Sequence, residues 1–96
     1  MISAAQMRAA RALAGIDQRQ LAEKAGLSVP TIQRMEASEG VIRGNVDSLI
    51  KIVEALDSFG IELIAEGAVS QGSGRGVRLK VRARQEPAAE TDRTAQ

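Results

Sequence analysis

The chain runs to 96 residues with a net charge of +1, one phenylalanine as its whole aromatic complement, and neither cysteine nor histidine. Those absences remove disulfides, thiolate chemistry, the usual zinc ligands and the commonest general base, so neither a metal nor a cofactor is expected. The length suits one small domain with a modest core, and no leader-like start or apolar run near ~20 residues occurs, which points to a cytoplasmic protein outside the membrane.

The charge is sectored. Five basic side chains stand against three acidic in residues 1–36, two against six in 37–66, five against none in 67–84, and one against three in 85–96. A nearly neutral chain of this kind can still offer a polyanion one positive surface.

Ser3-Ala-Ala-Gln6 has the form of a capping box and opens an alanine-rich helix that Gly15 stops, with Met7, Ala10 and Ala14 on one face. Asp17, with Gln20 three residues on, offers a second N-cap. Leu21, Ala22 and Ala25 then form the stripe of a helix barely two turns long, closed by Gly26. A third helix is predicted from about Val29 to Ala37, with Ser28 as its cap and Pro30 in its first turn. There the missing N–H of proline is one of the helix's orphan donors anyway. Asn45 can cap a fourth helix, whose Val46, Leu49, Ile50, Val53 and Leu56 make the most clearly amphipathic run, ended by Gly60.

Beyond Gly60 the period changes to two. Ile61, Leu63 and Ala65 alternate with Glu62 and Glu66; after a Gly/Ser-rich loop, Val77, Leu79, Val81 and Ala83 alternate with Arg78, Lys80, Arg82 and Arg84. Two alternating runs across a flexible loop predict a β-hairpin over residues 59–84, its acidic face meeting its basic face. Residues 85–96 are polar and aperiodic and read as a disordered tail.

The joint Ala25-Gly26-Leu27-Ser28 between two short helices is a helix-turn-helix arrangement. The run Gln18-Arg-Gln-Leu-Ala-Glu-Lys-Ala-Gly-Leu-Ser-Val-Pro-Thr-Ile-Gln-Arg-Met-Glu36, with its Gln-x-x-Leu-Ala-x-x-x-Gly…Ile-x-x-x-Glu pattern, resembles the Cro/C1-type (XRE) family of phage and bacterial repressors. The resemblance spans roughly residues 3–58. It implies a mainly α, four-helix, lambda repressor-like helix-turn-helix domain at 1–58, here followed by the β-hairpin, a dimerisation element, and the tail.

At ~100° per residue, Ile32 and Met35 fall on one side of the third helix and Pro30, Gln33 and Arg34 on the other. Since that helix enters the major groove in the family, the resemblance makes Val29, Pro30, Gln33 and Arg34 the base-reading candidates. A guanidinium suits guanine, the Gln33 amide suits adenine or a phosphate, and Val29 and Pro30 present apolar surface to a thymine methyl. Pro30 has an alternative role as a fixer of the helix start, and Arg34 as a solvated surface arginine. Gln18 and Ser28 match phosphate-contacting positions of the family, Ser28 doubling as a cap. Arg19 and Arg43 are phosphate candidates by charge alone, or plain surface residues. Arg11 and Glu36 match positions that pair across the first and third helices; the alternative is two unrelated charges.

The Gly72-Ser-Gly-Arg-Gly76 loop opens no helix and so lacks the mechanism of a phosphate cradle. No carboxylate pair flanks a nucleophile in a recognisable motif, and no enzymatic activity is expected. The resulting expectation is a sequence-specific regulator of transcription, a repressor binding a double-stranded DNA operator as a homodimer and associated with the nucleoid when bound. Ile61, Leu63, Val77, Leu79 and Val81 are its expected dimer face. The alternative is an antitoxin whose further partner is a cognate toxin or other protein and which represses its own operon.

Overall fold

The computed structural model describes residues 2–42 and 44–80. Four helices fill the first part: α1 (Ala4–Ala14), α2 (Gln18–Ala25), α3 (Val29–Glu36) and α4 (Val46–Ser58). Each begins at the cap its sequence carries. Ser3 Oγ accepts from the Gln6 N–H at 3.0 Å while Gln6 Oε1 accepts from the Ser3 N–H at 2.8 Å. Asp17 and Gln20 repeat the reciprocal pair at 2.8 and 2.9 Å. Ser28 accepts from the Thr31 N–H at 3.3 Å, and Asn45 from the Ser48 N–H at 2.7 Å. Two orphan donors are satisfied at each box, which fixes where these short helices start. Gly26, at φ 71°, ends α2 and turns the chain into α3; a side chain there would meet the left-handed region's steric penalty.

The core takes at least one fully buried large side chain from every helix: Met7, Leu21, Ile32, Ile52 and Leu56. At ~1.5–3 kcal/mol for each such side chain, this cluster is what holds helices too short to be stable alone. α2 packs on both α4 and α3, and α1 packs on α3. The loop after α3 adds a tie absent from the sequence reading. The Ala4 N–H donates to Gly40 O at 2.9 Å and the Ile42 N–H to Ile2 O at 3.1 Å, burying Ile42 against the chain start.

Two expectations change. The buried face of α4 is Ile52, Ala55 and Leu56, with Leu49 packed at its edge, whereas Val46, Ile50 and Val53 are exposed. Apolar residues cover more than half the circumference of this helix, so its period could not select the side that α2 covers. The second change concerns the hairpin. Among the described residues, 61–80 form no strand. Ile61 and Leu63 instead pack on the helical core, and Gln6 Nε2 donates to Ile64 O at 3.1 Å. Val77 and Leu79 stay exposed. Two of the charged residues expected to face one another across strands take other partners. Glu62 accepts from Ser70 Oγ at 3.1 Å and the Gln71 N–H at 3.3 Å, and Arg78 donates to the carbonyls of Ala65 and Ala68. These contacts close a local loop, and a long Gly/Ser-rich connection does little to impose a strand register against it. Val81 to Arg84 of the expected hairpin, and the expected tail at 85–96, lie outside the described residues.

Candidate nucleic-acid interface

α3 has two sharply different sides. Ile32, Met35 and Glu36 are buried, while Pro30, Gln33 and Arg34 are exposed and Val29 is half-buried against the core. Ser28 and Pro30 together set its start. The Ser28 hydroxyl caps the Thr31 N–H and lies 2.9 Å from the Thr31 hydroxyl, and the proline occupies the first turn, where no helical hydrogen bond is lost. Thr31 Oγ1 also receives Arg34 Nη2 at 3.4 Å, so the exposed arginine leans back along its own helix.

Behind that face lies a polar cluster centred on Glu36, whose side chain is only 5% exposed. Arg11 Nε and Nη2 reach its two carboxylate oxygens at 2.6 and 2.9 Å, a bidentate pair. Arg11 Nη1 continues to Ile16 O at 3.3 Å, joining α1 to the loop before α2. Gln18 Nε2 adds a third bond to Glu36 at 3.0 Å, and Arg8 donates to the Glu36 backbone carbonyl. Burial pushes the Glu36 carboxyl up, but hydrogen bonds from Arg11 and Gln18 and the charges of Arg11 and Arg8 outweigh it, leaving the group below the ordinary glutamate range. Arg11 moves upward, chiefly through its hydrogen bond to Glu36, against the opposing effect of burial.

The structure thus brings Arg11, Gln18 and Glu36 together behind α3 and places Pro30, Gln33 and Arg34 on its exposed side. Gln18, matched to a phosphate-contacting position, directs its amide nitrogen inward to Glu36. Arg19 pairs with Glu23 at 3.2 Å on the exposed surface, and Arg43 lies outside the described residues. Arg8 and Gln18 had no signal linking them to Glu36, because their partners lie 28 and 18 residues away. Of the apolar residues expected on a dimer face, Ile61 and Leu63 sit against the core, Val77 and Leu79 stand 77% and 72% exposed, and Val81 is outside the description.

Among the described residues, no helix is long and apolar enough to cross a membrane. No curated protein matches the chain, and no solved structure matches it. A model of the helix-turn-helix family does, over residues 7–62, a span that holds α2, α3, α4 and most of α1. With two short capped helices joined at Gly26 and the outer face of the second one open to solvent, the chain belongs to the Cro/C1-type (XRE) helix-turn-helix family of DNA-binding transcription regulators.

Proposed function

We propose that the protein is a repressor that binds a two-fold-related operator as a homodimer, with α3 in the major groove. The observation that carries this reading is the exposure of Pro30, Gln33 and Arg34 on one side of a helix whose other side is buried. In it, Arg34 and Gln33 read base edges, Val29 and Pro30 supply apolar contact, and Ser28, Arg19 and Arg43 face phosphates. Gln18 joins the phosphate contacts through whichever amide hydrogen Glu36 does not hold. The Arg11–Glu36 pair acts behind the interface, fixing the angle of α3. Residues 1–58 form the reading unit, 59–84 the dimerisation element and 85–96 a tail. The protein works in the cytoplasm, at the nucleoid.

Arg34→Ala tests the assignment. Binding to the preferred operator should weaken by ~1–3 kcal/mol, with preference lost at one base pair per half-site. Equal weakening on every sequence would make Arg34 a phosphate contact, and unchanged binding would take α3 out of the interface. The exposed Val69, Val77 and Leu79 also suit a protein partner. In a second reading the chain is therefore an antitoxin, for which co-purification of a cognate toxin is the check.

A further inference from the structure

A serine cap can accept from the N–H of the second or the third residue of its helix. In α3 the second is Pro30, which has no N–H, so Ser28 Oγ takes the Thr31 N–H at 3.3 Å. That commitment brings the Ser28 and Thr31 hydroxyl oxygens to 2.9 Å from one another. A β-branched threonine has few rotamers in a helix, and the contact with Ser28 selects among them. The Thr31 oxygen therefore stands at a fixed place.

Arg34 lies one turn further on. Side chains three residues apart are neighbours on a helix surface, and Arg34 Nη2 donates to Thr31 Oγ1 at 3.4 Å. Among the described residues Arg34 makes no ion pair, and Thr31 is the one side chain to which its guanidinium bonds. Thr31 itself is half-buried, and helical spacing puts it on the flank of α3 between exposed Arg34 and buried Met35. From there its hydroxyl can steer the arginine without meeting a base. A guanidinium carries five N–H donors in one plane, and a guanine edge takes two of them. One donor can thus stay on Thr31 while two others meet the base.

We infer that Thr31 is a positioning residue for sequence readout. Its hydroxyl orients the Arg34 guanidinium before DNA arrives, and Ser28 and Pro30 in turn fix that hydroxyl. The inference rests on the base-reading role proposed above for Arg34. A long side chain free in water samples many rotamers, and ordering it on binding costs affinity. Held by Thr31, Arg34 has part of that cost removed in advance, but only for base pairs that suit its held orientation. Thr31 acts on preference, not on attachment.

Selection from random duplexes with the full parent chain supplies a preferred site and a random-sequence control. Thr31→Val removes the hydroxyl at nearly constant shape, and Thr31→Ser keeps it. Discrimination at the base pair that Arg34 reads should fall ~3- to ~10-fold in Thr31→Val and stay at the parent level in Thr31→Ser. Affinity for the random duplex, and its salt dependence, should not move, because no phosphate contact is lost. In an Arg34→Ala background, Thr31→Val should have no further effect. Parent-like discrimination in Thr31→Val would overturn the inference, as would an equal loss on every sequence. A loss that persists without Arg34, or that appears in Thr31→Ser as well, would do the same. The DNA-free protein gives an independent readout. Nitrogen relaxation at Arg34 Nε should report a more mobile side chain in Thr31→Val but not in Thr31→Ser, and unchanged mobility would dismiss the contact. A parent chain that selects no sequence would instead strike at the regulator reading, leaving the relaxation result to decide on Thr31.

Discussion

The segment 18–36 and the segment 61–80 are similar in length and both carry clear apolar periodicity, but only the first is regular. In 18–36, each helix has an N-cap within three residues of its first turn, and its stripe meets side chains from two neighbouring helices. All of its backbone-to-backbone bonding is local. In 61–80 the period is that of a strand, whose backbone groups have no partner until another strand arrives. Periodicity therefore settles a helix almost alone, while for a strand it states a requirement that the rest of the molecule has to meet.

The contrast breaks most visibly if the polar cluster behind α3 proves dispensable, since that would leave the caps and apolar packing to order 18–36. Arg11→Ala should cost about 3 kcal/mol in chemical denaturation, because it strands the buried Glu36 carboxylate. The acid limb carries the same information. Because the native Glu36 carboxyl lies below its ordinary value, the unfolded chain takes up a proton first as pH falls. The pair's contribution is thus complete above ~4.3 and disappears as pH drops through the native value. Glu36→Gln should flatten that part of the stability–pH curve; an unaltered acid limb would show that the pair is energetically idle.

A smaller effect tests the joint. Gly26→Ala should destabilise by ~1–2 kcal/mol purely through backbone strain, since the added Cβ meets nothing within 4 Å. A neutral result would mean that the α2–α3 turn relaxes without its left-handed residue. Smallest of all is the contrast inside the irregular segment. Ile61→Ala should lose ~1 kcal/mol from the half-buried contact with the core, and Val77→Ala under ~0.3 kcal/mol in the monomer, its side chain being solvated. Equal losses in dilute denaturation would show that both ends of 61–80 pack alike.

What could be read from the sequence follows from the same distinction. The four caps and the Gly26 turn are signals three or four residues wide, and they locate α1, α2, α3 and α4 to within a residue. The two sides of α3 were legible because Ile32 and Met35 contrast with Gln33 and Arg34 in polarity. The buried side of α4 was not, because Val46, Ile50 and Val53 are as apolar as Ile52 and Leu56, and only the packing of α2 separates them. The Glu36 cluster was half legible: the resemblance supplied Arg11, but neither Arg8 nor the inward turn of Gln18 leaves a local trace. The irregular path of 61–80 depends on Glu62 and Arg78 finding loop backbone in preference to each other, a choice among near-equal exposed contacts that a pattern of charges does not encode.

The far end of α3 has a consequence for the thermodynamics of recognition. This helix closes on Ala37 in an ordinary right-handed conformation, without a glycine, and its last carbonyl is taken by Arg8 from α1 while its last side chain is held by Arg11 and Gln18. Locked at its rear, the helix has little left to order when its front meets a ligand. The heat-capacity change of complex formation should then match the docked apolar surface of two rigid bodies, without the additional 1,000–3,000 Å²-scale burial (roughly) that coupled folding contributes. Calorimetry over a range of temperatures would register that rigidity directly, as a shallow slope in the binding enthalpy.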